Sequence, residues 1–250
     1  MLELSATGRR RAEALACLKA EVARLERSYT ETPSRSVRFG TALDDAFDEG
    51  ALPLGCIHEL LIEGRDQEAA SQGFISALMS KMSANGGIVW ITKLRTIFPP
   101  GLTAFGLAPD RICFLDLSRE KDALWAAEEA LRCKTITAVV AEIANIDLTA
   151  SRRLQLAAEH SGAPVFLMRL NPNRQGATAS ATRWRIKPLP STAPDGLPGV
   201  GFPAFDVELL KVRGGRPGQW QMEWRGKAFH DVQMREVSQT PATTLRAGAA

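Results

Sequence analysis

The run Cys56-Ile-His-Glu-Leu-Leu-Ile62, followed at once by Glu63-Gly-Arg-Asp-Gln-Glu-Ala-Ala-Ser71, decides the fold. Its first part is mostly apolar and does not alternate with polar residues, the mark of a strand buried on both faces. The period then changes. Ala70, Phe74, Leu78 and Met82 fall at intervals of four and predict the buried face of a helix over Asp66–Ala84. Asp66 is placed to cap its start and Asn85-Gly86 to end it. A doubly buried strand feeding a helix is the first half of a right-handed parallel crossover.

The same alternation continues towards the C-terminus. Ile88–Thr92, Arg111–Leu115, Ile136–Ile143 and Pro164–Leu170 read as strands. Between them Arg119–Arg132, with Leu124, Ala127 and Leu131 inward, and Thr149–His160 read as helices. Apolar strands linked by helices predict an α/β domain with a mostly parallel central sheet flanked by helices. After Leu170 the character changes: Asn171–Thr182 is a polar loop, and Arg183–Lys187 is a short alternating stretch. Val207–Arg213 and Gln219–Arg225 flank Gly214-Gly-Arg-Pro-Gly218 and predict a C-terminal antiparallel hairpin. Trp220, Met222 and Trp224 alternate with Gln219, Gln221 and Glu223, as a half-buried strand requires.

Upstream, Arg9–Arg27 predicts an N-terminal helix whose stripe Leu15, Leu18, Val22 and Leu25 needs a partner, either its own domain or another chain. The expected organisation is helix and linker over 1–36, core over 37–232 and a disordered tail over 233–250, where Ser238–Ala250 is polar and small.

With 45% hydrophobic residues in a chain of 250, one large core can be buried. A net charge of +3 is too small to argue for nucleic acid, so only local clusters can. Cys17, Cys56, Cys113 and Cys133 are scattered with no ligand spacing, which predicts reduced structural thiols and no metal site. Met1–Arg11 lacks a basic segment followed by an apolar run, and no apolar stretch reaches about 18 residues. A cytoplasmic location is expected.

In a parallel sheet ligands sit at the carboxyl ends of strands, so Ile62–Ser71 is where a phosphate loop would lie. Such a loop needs several glycines, a lysine for the terminal phosphates and a Ser or Thr for magnesium. This junction has Gly64 alone, no lysine, and the carboxylates Glu63, Asp66 and Glu68. It is expected to reject a triphosphate.

Phe39-Gly-Thr-Ala-Leu-Asp-Asp-Ala-Phe47 and Gly50-Ala-Leu-Pro-Leu-Gly-Cys-Ile-His-Glu-Leu60 resemble the segment that leads into the phosphate loop of RecA proteins. Along that match the family's catalytic lysine falls at Glu68 and its magnesium-binding hydroxyl at Ala69. The family's catalytic glutamate falls at Lys93, and its Walker B strand ends at Glu142. No catalysis and no cofactor are therefore carried over. A RecA-like core with an altered phosphate loop, Leu52–Leu60 and the closing Arg213-Gly-Gly-Arg-Pro-Gly-Gln-Trp220 hairpin resemble the ImuA family over most of Val37–Phe229. The resemblance implies a damage-inducible accessory factor of SOS-type mutagenic translesion synthesis. It would act with an ImuB-like polymerase homologue and an error-prone C-family polymerase, and contacts with RecA itself are plausible for the family. The N-terminal stripe Leu15, Leu18, Val22 and Leu25 is expected either to dock on a neighbouring copy, as the terminal helix of RecA proteins does, or to bind the ImuB-like protein or RecA.

The duller readings come beside these. Glu142 is expected as a solvated or paired carboxylate, His58 as a hydrogen-bonded core or edge residue, and Asp116 as a turn or cap. Ser71 lacks a hydrolase context. Asn171–Thr182 falls where RecA proteins keep a DNA-contacting loop, which makes Arg174, Arg183 and Arg185 the candidate DNA contacts. Alternation nevertheless puts Trp184 on the opposite face, as a core residue under a basic surface. A direct single-stranded DNA-binding module and a divergent DNA-stimulated ATPase are the alternatives to a scaffold.

Overall fold

A computed structural model describes residues 36–82, 86–93, 96–172, 176–191 and 200–232, together with Glu13 and Ala16. The stripe Leu15, Leu18, Val22 and Leu25, the residue Arg174 and the tail from 233 lie outside the described residues.

A two-stranded ribbon of β1 (Ser36–Val37) and β2 (Leu52–Pro53) precedes the main sheet. The core alternates β3 (Ile57–Ile62), α1 (Arg65–Ser80), β4 (Gly87–Thr92), β5 (Ile112–Asp116), α2 (Glu120–Leu131), β6 (Ile136–Glu142), α3 (Leu148–Ser161) and β7 (Val165–Leu170). It closes with β8 (Thr182–Leu189), β9 (Ala204–Val212), β10 (Gly218–Arg225) and β11 (Ala228–Asp231). The nine strands are ordered β11-β10-β9-β8-β3-β7-β6-β4-β5. From β8 to β5 every neighbour is parallel, and from β8 to β11 every neighbour is antiparallel. Every residue of β3, β4 and β6 is buried, which is why their sequences do not alternate.

The two faces carry different cores. One holds α1 and an aromatic cluster in which the Phe39 ring lies 5.8 Å from Phe74 and 5.6 Å from Phe229. Asp44 sets the turn that delivers Phe39, accepting from the N–H groups of Phe39 and Gly40, each at 2.8 Å. The other face holds α2 and α3. Ala123, Ala126, Ala127 and Ala130 put no bulk between α2 and the sheet.

Three expectations are corrected. The helix expected over Asp66–Ala84 ends at Ser80, because the N–H groups of Lys81 and Met82 turn to the i−3 carbonyls of Leu78 and Met79. Gly64, not Asp66, takes the N-cap position and makes no side-chain cap bond, which leaves Asp66 in the first turn. The stretch expected as Arg183–Lys187 is the longer β8, parallel to β3 and antiparallel to β9, and β11 was not anticipated.

The hairpin turn has a steric logic. Gly214 has φ +69°, and a Cβ on Gly215 would stand 2.2 Å from the Ala46 carbonyl oxygen. That oxygen also accepts from Arg216 N–H at 2.9 Å. Gly215→Ala is expected to cost about 1–3 kcal/mol by overpacking, read as a lower urea midpoint. An unchanged midpoint would mean that the hairpin does not press on the Ala42–Ala46 turn.

Among the described residues no group of His, Cys, Asp and Glu is arranged to hold a metal ion. No helix among them is long and apolar enough to cross a membrane.

Candidate functional site

Only Glu63 and Gly64 connect β3 to α1. A phosphate cradle needs a wider turn with converging amides. Here the Glu63 N–H donates to Gln67 Oε1 at 3.1 Å, and Glu68 N–H already closes a helical bond on Gly64 O at 2.9 Å. The Asp66 carboxylate folds back over Gly64, with Oδ1 only 2.7 Å from where a Cβ would stand. Negative charge therefore occupies the positive end of the helix dipole.

Glu68 reaches sideways. Its Oε1 accepts from Thr96 Oγ1 at 2.7 Å, and Gln72 Nε2 donates to Thr96 Oγ1 at 3.1 Å. The residue at the lysine position thus ties the start of α1 to the connection leaving β4. Ala69, exposed on the first turn, contributes no polar group.

Glu142, at the end of β6, is 5% exposed. Its Oε2 accepts from Thr92 Oγ1 at 2.9 Å and from Lys93 N–H at 2.8 Å, while Oε1 has no hydrogen-bond partner among the described residues. Burial pushes its carboxyl above the usual range, the bonds from Lys93 and Thr92 oppose that, and Glu68 and Asp116 add to it. The carboxylate expected to be solvated or paired is instead buried and held by hydrogen bonds from a hydroxyl and a backbone amide. Lys93 is held by its backbone, and its side chain is exposed. The fold thus gathers Gly64, Glu68, Lys93 and Glu142 at the carboxyl ends of β3, β4 and β6, bonded to protein groups.

The second candidate set lies on β8. Arg183 Nε meets Glu59 Oε2 at 2.8 Å, and Arg169 NH1 meets Glu59 Oε1 at 3.3 Å. Glu59 and Arg169 are almost wholly buried. Arg169 Nε also donates to Ala144 O at 2.8 Å. Arg185 pairs with Glu208 at 2.8 Å. The segment 176–181 is strapped down by cations: Arg183 donates to Gly176 O, Lys211 to Ser180 O and Arg213 to Ala179 O. Burial, and after it Arg183, lowers the Lys211 pKa, which Glu59 partly offsets. Trp184 points to the other face, into the aromatic cluster, and its Nε1 donates to Thr182 Oγ1 at 2.6 Å.

His58 is fully buried. Its Nδ1 lies 2.7 Å from Thr182 Oγ1 and its Nε2 lies 3.0 Å from Pro53 O. A carbonyl can only accept, so Nε2 carries the proton and Nδ1 accepts from Thr182. Cys56 beside it is a buried thiol pushed up to about 12 by burial, far from a reactive thiolate.

No protein-family model matches this sequence. Protein ImuA of Caulobacter vibrioides (strain NA1000 / CB15N) is 36% identical over 224 residues, covering 84% of this chain and 92% of the relative. The chain belongs to the ImuA family. Protein ImuA of the strain ATCC 19089 / CIP 103742 / CB 15 gives the same figures. The crystal structure of the RadB recombinase superposes with a TM-score of 0.54 at 13% identity, covering 79% of this chain and all of that one. That likeness establishes a RecA/RadB-like fold.

In this ImuA-family chain the Glu59–Arg169–Arg183 cluster is not legible as a unit in the sequence, although part of a signal is present. Glu59 and Arg169 each interrupt an apolar strand, and a charge in a doubly buried strand is tolerated only when paired. Their partners, 110 and 124 residues away, give no local sign.

Proposed function

We propose that this ImuA-family protein is a RecA-like scaffold that neither binds nor hydrolyses ATP and serves a damage-inducible complex for mutagenic translesion synthesis. It holds an ImuB-like polymerase homologue and an error-prone C-family polymerase in the cytoplasm, and it meets DNA through them. The observation that carries the reading is the two-residue link between β3 and α1, with Glu68 and Ala69 standing where a nucleotide enzyme needs lysine and a hydroxyl. Placing a triphosphate against Glu63, Asp66 and Glu68 would set like charges together. Family membership supports the mutagenesis role. Indirect DNA contact is supported by Arg183 and Arg185, whose guanidinium groups are engaged by carboxylates.

The test is a pair of titrations on the full-length chain. Calorimetry with ATP and magnesium is expected to show no binding up to millimolar nucleotide, and the purified ImuB-like protein is expected to be captured. Micromolar ATP binding would restore the ATPase reading, and failure to capture the partner would end the scaffold reading.

A further inference from the structure

We infer that the N-terminal segment folds back on its own domain as a helix and packs its apolar stripe over the sheet edge at β5, against the outer side of α2. That packing closes the edge strand to a second copy of the chain, whichever partners the domain holds elsewhere.

β5 is the last strand of the sheet, with β4 as its neighbour. Its Cys113 and Leu115 belong to the core on the face that carries α2 and α3, and they are only 6% and 4% exposed. The described elements that chiefly contact α2 are β4, β6 and α3, and β5 chiefly contacts β4. Leu117, where the chain leaves β5, is half-buried against the same core. Trp125 stands on α2 opposite Ala123, Ala127 and Ala130, the side turned away from the sheet, yet it too is half-buried. A terminal strand and an outward tryptophan are kept from water in this way when a further element lies over them.

The chain supplies one segment that fits. Outside the described residues, 83–85, 94–95, 173–175 and 192–199 are short, and 233–250 has no sustained apolar stripe. Segment 9–27 carries Leu15, Leu18, Val22 and Leu25 on one helical face. Glu13 and Ala16 are helical and exposed, and both lie opposite that face, which leaves the stripe as the side to turn towards protein. From Leu15 to Leu25 a helix rises about 15 Å, close to the roughly 16 Å of a strand of β5's length.

The tether also fits. The described core begins at Ser36, which pairs with Pro53 just ahead of β3. β5 lies four strand spacings from β3, about 19 Å. The linker 28–35 spans about 26 Å when extended, enough for the helix to reach its own β5. So short a tether sets a millimolar effective concentration, which favours the chain's own edge over that of a second copy.

The full-length chain is labelled with N-ethylmaleimide, each thiol is followed by peptide mass spectrometry, and sedimentation velocity gives the mass. Cys113 reports the β5 edge, and Cys56, also 6% exposed but beside β3, is the matched control. Wild type is expected to be a monomer that labels slowly at both. The double variant Leu18→Glu, Val22→Glu is expected to stay monomeric and to label Cys113 about tenfold faster, with Cys56 unchanged, because the edge opens locally while the core stays closed. Leu18→Ala is expected to accelerate Cys113 alone by a smaller factor, and it decides the matter should the charged pair unfold the domain and accelerate both thiols. Unchanged Cys113 labelling in the variants would overturn the packing. A wild-type dimer that the charged pair splits would place the stripe on a second copy and overturn it equally.

Discussion

Glu59→Ala is expected to lower the folding free energy by about 3–5 kcal/mol, because it leaves two guanidinium groups without their carboxylate in a water-poor interior. Glu59 is fully buried and shared between Arg169 at 3.3 Å and Arg183 at 2.8 Å. The trio joins three neighbouring strands, β7, β3 and β8, where the parallel part of the sheet passes into the antiparallel meander. Removing the shared acceptor is worse than removing one of the cations, since both charges are stranded. Urea unfolding of the variant against wild type measures the loss. Arg185→Ala provides the contrast: its pair with Glu208 is partly exposed, and its loss is expected to cost about 1 kcal/mol or less. Equal midpoints for wild type and Glu59→Ala would show that the trio does not hold the junction.

Stability is expected to fall as the pH drops from about 6.5 to about 4, and His58 supplies a large part of the fall. Burial, opposed by the bond to Pro53 O, lowers its pKa from 6.5 to about 4. Across that window the unfolded chain holds a proton that the folded chain refuses, so acid favours unfolding. The stabilisation is complete above about pH 6.5 and is lost as the pH falls through the folded value. A proton held by one state and refused by the other changes stability by roughly 1.4 kcal/mol for each pH unit crossed, so the imidazole accounts for about 3 kcal/mol. Glu142 acts in the opposite sense. Its raised carboxyl pKa makes its contribution greatest at low pH and diminishes it as the pH rises through the folded value. The His58 share is therefore read as a difference, by comparing urea midpoints from pH 7.5 to 4 for wild type and His58→Gln. The variant is expected to be less stable at neutral pH and to show a shallower decline in acid. Parallel declines would show that His58 is not the group that titrates.

The strands were legible because burial on both faces and burial on one leave different patterns. β3, β4 and β6 read as unbroken apolar runs, and β10 read as alternating Trp220, Met222 and Trp224. The helices of the core, α1, α2 and α3, were legible to within a few residues. Asp66 was misread because a carboxylate near a helix start fits either the cap or the first turn, and only the backbone path through Gly64 decides between them. The 3-10 helix Pro99–Phe105 went unseen, since its paired prolines signal a loop equally well. For Arg183 and Arg185, spacing correctly set them opposite Trp184, but their partners Glu59 and Glu208 come from other strands.

The sequence by itself determined the α/β class, the buried parallel strands and the chemical character of the β3–α1 junction, because period and side-chain type are local properties. It also supplied the acid at Glu68, the missing hydroxyl at Ala69 and the glycines of the hairpin. Only the tertiary structure decided strand order, the Glu68–Thr96 clasp and the sharing of Glu59 by two arginines. Each of these depends on which distant segments the sheet brings within a few ångströms, and the chain records that in no single stretch.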